Sequence, residues 1–382
     1  MSKYNLLIDC SFIRSRVYFP VSTALYAGRL LQGFKDSDVF SVVAIVCNGM
    51  EDQIDDLAGY SVEKKIIVNE QTRITPRQSL CRVLGIMPFK AEMKRYQIDA
   101  VLMPEGFDCW FFFPRRYNHH VIIQDMIRYK TIKDKTSPWI YWPWRLYRRL
   151  LYRNVRCFIS ISQKTREELK HYEGKDSVVV YNSIPFDFSI QEKEVACLAG
   201  KKYILDVNRF QKYKNAETLI RAFNLLKDRI PHILYLKGDD RHSEDYEELV
   251  KLVNQLGLED RVIFDRTHRS ESEIRYMYTH ADLFVTPSLM EGFGWTPIEA
   301  AILKVPVLTS NTDVMREVSC GKLSTFDPYS PEDLAEKMEE MLKLPPDEKT
   351  KQELSDFFIE KYSLKNQIEG LTNVLLNTLH KQ

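Results

Sequence analysis

The amino-acid sequence predicts an α/β protein built from two Rossmann-like, doubly wound domains. Short β-rich apolar runs alternate with longer amphipathic stretches along its 382 residues. The runs show little in-out alternation, which suits strands covered on both faces in a parallel sheet. Between 182 and 202 the periodicity lapses and then restarts, and a chain of 382 residues has room for about two and a half domains of roughly 150 each. We divide it into a first domain over 1–186, a second over 187–360, and a C-terminal helix over 361–382 that crosses back to the first. Such a pair places a ligand cleft where the carboxyl ends of the two sheets face each other.

The first strand is YNLLID (4–9), ending in Asp9. Six more runs follow in the first half: VFSVVAIV (39–46), KKIIV (64–68), IDAVLM (98–103), HHVIIQ (119–124), CFISIS (157–162) and SVVVY (177–181). Apolar residues at helical spacing predict helices over 22–35 and 163–172, the latter capped by Ser162. The second half repeats the scheme with KYILDV (202–207), HILYLK (232–237), RVIF (261–264), DLFVT (282–286) and VPVLT (305–309). Helices are predicted there over 215–229, 243–257, 270–279, 296–303 and 365–380.

Composition is that of a globular protein, with 44% apolar and 28% charged residues. No run approaches the 18 or so apolar residues of a membrane span, and the start lacks a signal-peptide pattern. Seven cysteines are scattered without a C-x-x-C pair, so we expect buried reduced thiols in a cytoplasmic protein and no structural zinc. A net charge of +1 hides an asymmetry, +9 over residues 1–186 against −8 over 187–382. The basic half suits an anionic membrane surface or a phosphorylated substrate. No recognition motif accompanies that charge, so nucleic acid is not an expected partner.

The segment 137–156, SPWIYWPWRLYRRLLYRNVR, sets Arg145, Arg149 and Arg153 at helical spacing after three tryptophans. Two readings apply. The favoured one is an amphipathic helix packed on the sheet with a solvated basic face. The other is an interfacial helix, placing the protein at the inner face of a membrane.

Chemistry concentrates in PSLMEGFGWTPIEAAILKVPVLTSN (287–311). A strand runs into a loop with Gly292 and Gly294, then a helix carrying Glu299, an arrangement that brings backbone N–H groups to an anion. Glu291 and Glu299 could accept hydrogen bonds from hydroxyls at two ends of an elongated ligand, although Glu299 could equally serve the helix dipole. Arg209 and Lys214 follow a strand and enter a helix, where a diphosphate can be gripped by a planar fork and a compact charge. Lys212 reads as a solvated surface cation.

The pattern EGFG…P-x-E-A, then PV and a Ser-Asn turn, resembles the signature of retaining family 4 glycosyltransferases with the GT-B fold. VNRFQKYKNAETLIRAFNLL (207–226) is similar to their strand–Arg–x4–Lys–helix motif, and GLEDRVIF (257–264) and ADLFVTPS (281–288) fall in the same order. The resemblance is strong from about 203 to 345. It implies transfer of a hexose from a nucleotide-diphosphate sugar, with retention, to a glycan or lipid-linked acceptor, as in the mannosyltransferase-like enzymes of surface-polysaccharide assembly; a GDP-sugar is favoured over a UDP-sugar. It assigns Arg209 and Lys214 to the diphosphate, Glu291 to sugar hydroxyls and Glu299 to the ribose. Backbone groups of Gly292, Phe293, Gly294 and Trp295 would line the sugar and phosphate path, and main chain around Thr267 and His268 would meet the base. His268 could equally be an exposed loop histidine. The retaining mechanism of the family is drawn as a front-face displacement, with neither protein nucleophile nor metal nor cofactor.

Three positions depart from the family pattern. Ser22 and Thr23 stand where many relatives have a Gly-rich loop, Gln124-Asp125 replaces His-Asp, and Lys304 replaces a Gly before the PV strand. Gln124 can bond a hydroxyl but cannot titrate. Asp125 either orients an acceptor or caps a helix. Lys304 bears on packing or surface charge, while the altered loop and Gln124 support a competing reading, a binding protein on a transferase scaffold that holds a nucleotide sugar or only a glycan without turnover.

Overall fold

The computed structural model describes residues 3–13, 21–68, 90–106, 115–135, 137–184, 189–239 and 243–379. Contacts divide the chain into two compact units, Met1–Pro185 with Leu364–Gln382, and Phe186–Ser363.

The first unit holds seven parallel strands: β1 (Tyr4–Asp9), β2 (Phe40–Cys47), β3 (Lys65–Val68), β4 (Ala100–Met103), β5 (His119–Ile123), β6 (Cys157–Ser160) and β7 (Val178–Val179), in the order β3-β2-β1-β4-β5-β6-β7. Leu6, Leu7 and Ile8 of the central β1 are fully buried, the burial that its unbroken apolar run requires. The second unit holds β8 (Tyr203–Val207), β9 (Ile233–Lys237), β10 (Val262–Asp265), β11 (Leu283–Thr286), β12 (Val307–Ser310) and β13 (Ser324–Phe326), in the order β10-β9-β8-β11-β12-β13. Its core joins Leu219, Phe223 and Leu226 of the helix Ala216–Leu226 to Leu234, Leu283 and Val285 of the sheet. In both sheets the strand order reverses beside the first strand of the unit, between β1 and β4 and between β8 and β11, the switch points where such sheets bind ligands.

Every predicted strand run contains a strand, and Ser162 accepts the Thr165 N–H at 3.1 Å as the expected cap of the helix Gln163–Glu173. The sequence reading lacks β13, whose three residues are too few to show a period. It also lacks the helices Glu51–Ala58, Lys90–Arg95, Ile127–Lys135, Asp313–Val318, Pro331–Lys343 and Glu348–Lys361. Among the described cysteines there is no disulfide, but burial is not uniform as expected. Cys10 and Cys47 are buried, whereas Cys197 and Cys320 are exposed. Residues 19–20 of the loop before the first helix lie outside the described residues.

The helix Leu364–Leu379 belongs to the first unit. Ser183 donates to the Gln367 side-chain carbonyl at 2.7 Å, and the His120 ring and Thr378 hydroxyl are 2.7 Å apart. A Cβ on Gly33 would collide with Ile368, so the helices Val21–Phe34 and Leu364–Leu379 approach as closely as they do only because that residue is glycine.

The helix Pro138–Leu151 reverses the favoured expectation for 137–156. Arg148 and Leu151 are its buried residues, while Trp139, Trp142 and Leu146 are exposed. Aromatic and aliphatic side chains, not a purely basic face, point outward.

Candidate active site

The loops that follow β8 and β11 leave the sheet side by side, because those strands pair in register at Leu283 and Ile204. One carries Arg209 and a 3-10 turn over Lys212–Lys214, the other Glu291. They are tied together by the Leu289 N–H, which donates to the Tyr213 carbonyl at 2.8 Å. Asn215 makes a second tie. Its side-chain amide donates to the carbonyls of Pro287 at 3.1 Å and Pro328 at 2.8 Å, so three loops meet on one residue. Asn215 stands in the left-handed region, φ 60°, a conformation asparagine tolerates better than most side chains.

This clamp brings Lys214 against Glu291, with Nζ 2.5 Å from Oε1. Both side chains are mostly buried, at 14% and 12% exposure, so water screens the pair less than it would at the surface. Asp206 lies below them near the end of β8, 3% exposed. Burial pushes its carboxyl up to about 7, against the Asn208 hydrogen bond and the Lys214 charge, while Glu291 adds to the rise. The Asn208 amide donates to Asp206 at 2.6 Å. Arg209, half-exposed on the same loop, makes no side-chain hydrogen bond or ion pair among the described residues. Lys212 is a surface cation as expected, paired with Glu248 at 3.0 Å.

Gly294 caps the helix Trp295–Ile302 with φ 86°, and a Cβ there would strike Met315. The positive φ selects glycine by itself, whereas the Met315 end is flexible and could move aside. Phe293 is buried, with its ring 5.2 Å from that of Tyr362, so only its backbone can serve a ligand. Glu299 lies beyond the first turn of that helix, which removes the dipole reading. Its carboxyl accepts from the Tyr278 hydroxyl at 3.0 Å and is pushed up to about 7 by burial, with Glu271 contributing and the Tyr278 bond opposing.

At the end of β10, Asp265 organises the loop with Thr267 and His268. Burial raises its carboxyl, but bonds from Thr267, Tyr235 and Arg269 more than offset that and bring it down to about 2. The Thr267 N–H is committed to Asp265 at 2.9 Å. His268 is exposed and has no side-chain partner among the described residues.

In the first unit Gln124 spends its amide internally, donating to the Pro104 carbonyl at 3.0 Å and accepting from Asn182 at 3.3 Å. Asp125 accepts the Ile127 N–H at 2.8 Å at the start of the helix Ile127–Lys135, the capping reading. The structure thus unites Lys214 with Glu291, puts Arg209 on the same loop, and seats Glu299 against Tyr278. Asp206, Asn215 and Tyr278 are additions to the predicted set. The signal for Asp206 was a lone carboxylate inside the apolar run KYILDV, a placement that costs free energy unless compensated.

Residues 187–356 match the family described as glycosyl transferases group 1. The match covers nearly all of the second unit, with its parallel sheet and switch-point cation–carboxylate pair, so that unit resembles a group 1 glycosyl transferase domain. Curated relatives that the chain resembles include mannosyltransferases. The chain is 30% identical over 189 residues to the mouse alpha-1,3/1,6-mannosyltransferase ALG2, covering 45% of each chain. It is 28% identical over 212 residues to the O-antigen chain mannosyltransferase RfbU of Salmonella typhimurium, covering 52% of this chain and 56% of that one. The chain spans about half the length of these curated relatives. Among solved structures, a glycosyltransferase from Rickettsia africae superposes with a TM-score of 0.72 at 16% identity over 100% of both chains. Anabaena HepE in complex with UDP-glucose gives 0.68 at 16% identity over 98% of this chain and 99% of that one. At such identities these likenesses show the fold. No helix among the described residues is long and apolar enough to cross a membrane.

Proposed function

We propose that this chain transfers a hexose from a nucleotide-diphosphate sugar, with retention, to a glycan or lipid-linked acceptor in surface-polysaccharide or glycoconjugate assembly. The observation that carries this reading is the Lys214–Glu291 pair at the β8/β11 switch point, with Arg209 on the same loop. An ammonium has three N–H donors, so Lys214 can keep Glu291 and still donate to a phosphate oxygen. Glu291 retains Oε2 for hydroxyls of the sugar. Arg209 offers its fork to the diphosphate, and the two cations meet the negative charge that develops on the leaving group. The departing phosphate oxygen then takes the acceptor proton as the new glycosidic bond forms on the same face. With two side-chain cations in that role, the reading requires no divalent metal and no cofactor. Glu299 takes the ribose, and backbone of Gly292, Phe293, Gly294 and Trp295 lines the path.

Mannose carried by GDP is the donor this reading favours, since the curated relatives are mannosyltransferases; the HepE complex makes UDP-glucose the necessary comparison. The protein acts peripherally at the inner face of a membrane. A thermal-shift panel of GDP, UDP, ADP and their hexose conjugates tests the donor site. Ligand at about 100 times its Kd adds roughly 2.7 kcal/mol, and the shift should vanish in Arg209→Ala/Lys214→Ala. Hexose transfer with the responding donor, persisting in EDTA and lost in Glu291→Gln, would support turnover; no shift with any nucleotide would refute it.

A further inference from the structure

We propose that the helix Pro138–Leu151 docks this chain on an anionic lipid bilayer. The proposal deepens the peripheral placement above and names the surface responsible. Trp139 is 89% exposed, Ile140 62%, Leu146 60% and Trp142 59%. Trp139, Trp142, Pro143, Leu146 and Arg149 recur at spacings of three and four, which places them along one outward stripe. A helix that belongs only to a soluble surface buries such side chains and exposes its charges.

Here the inward residues are Arg148 and Leu151, and the arginine makes the directional contacts. Arg148 Nε donates to Glu173 Oε1 at 2.7 Å and Nη2 donates to the Tyr152 hydroxyl at 2.5 Å. The rings of Tyr129, Trp144 and Tyr152 surround its guanidinium at 5.6, 5.2 and 4.8 Å. Tyr152 in turn donates to the Gly106 carbonyl at 2.7 Å, tying the assembly to the loop after β4. The helix is therefore fastened by a polar anchor, and its apolar stripe is not needed for that attachment.

The stripe forms an open groove of about 650 Å³ between Pro138, Trp139, Trp142, Pro143 and Leu146, with Arg145 and Arg149 at its edge. Tryptophans beside arginines suit the boundary between headgroups and acyl chains, where an indole has one apolar and one wet side. Its 14 residues reach about 21 Å, too short to span, so the helix lies in the plane of the interface. Charge selects the occupant. Residues 126–156 contain nine Lys or Arg and one acidic residue, complementary to anionic headgroups. A second copy would fit poorly, because a two-fold contact sets the same basic patch against itself.

Co-sedimentation with unilamellar vesicles tests this, using phosphatidylcholine alone and phosphatidylcholine with phosphatidylglycerol in equal parts. The protein should partition to the anionic vesicles and be released by salt. Trp139→Ser/Trp142→Ser should abolish partitioning, and Arg149→Glu should weaken it about fivefold or more. An unchanged melting temperature shows that each variant is folded. No vesicle binding, or equal binding to phosphatidylcholine alone, overturns the proposal. So does a vesicle-free dimer that Trp139→Ser/Trp142→Ser dissociates, which would assign the face to self-association. Transfer to a soluble acceptor, assayed in parallel, separates this result from the functional reading: loss of transfer with vesicle binding intact would sink only the latter.

Discussion

Lys214 and Glu291 meet at 2.5 Å although 77 positions separate them in sequence. Neither charge was placed there by local structure. The pairing of β8 with β11 and the Asn215 clamp put them together, so the site is a property of the sheet order. Lys214→Met should leave the mostly buried Glu291 without its partner and lower kcat by about 10²–10³-fold. In a double-mutant cycle with Glu291→Gln, the two losses of thermal stability should be less than additive; strict additivity would mean the pair is not energetically coupled.

Asp206 gives the fold a pH dependence of definite sign. The folded state holds its proton up to about 7, whereas the unfolded chain releases it near 3.8. The native state therefore binds the extra proton between those values, and this group's contribution is full below about 4 and declines as pH rises towards 7. Its size is at most on the order of 4 kcal/mol. Asp206→Asn should flatten the fall in melting temperature over that window; a wild-type slope that the variant leaves unchanged would contradict the assignment.

What the sequence made legible and what it hid follow physical lines. Long apolar runs betrayed every other strand, but β13 is three residues at a sheet edge and has no room to show a period. Arg209, Lys214, Glu291 and Glu299 stood out because chemistry-bearing residues recur there in a known order. Asn215 and Tyr278 did not, since their work lies in contacts with chain 72 and 21 positions away. The helix Pro138–Leu151 misled for a related reason. Three arginines share it, and spacing alone does not reveal that Arg148 is the one with a buried carboxylate waiting.

Asn215→Ala loses two hydrogen bonds to carbonyls and takes a side chain poorly suited to φ 60°. It should cost about 2–3 kcal/mol and lower kcat. Asn215→Gly keeps the backbone conformation, so it isolates the clamp. If Asn215→Gly retains full kcat, the clamp does not position Lys214.

Lys304 is exposed and sits at φ 62° just past the helix Trp295–Ile302, the place where glycine is most at home. Lys304→Gly should raise stability by about 1 kcal/mol, read as a higher melting temperature with turnover unaltered. A lower melting temperature would show that the lysine side chain earns its position through packing.

The helix Leu364–Leu379 has a bearing on biogenesis. Its residues Gln367, Leu371 and Leu375 are buried within the first unit, which otherwise ends at Pro185. A ribosome must translate the whole intervening unit before supplying them. The sheet translated first is thus the last to be completed, and until then Gly33, Ser183 and His120 await their neighbours. A nascent chain halted near residue 190 should stay protease-sensitive, whereas the Phe186–Ser363 unit can close as soon as it clears the exit tunnel.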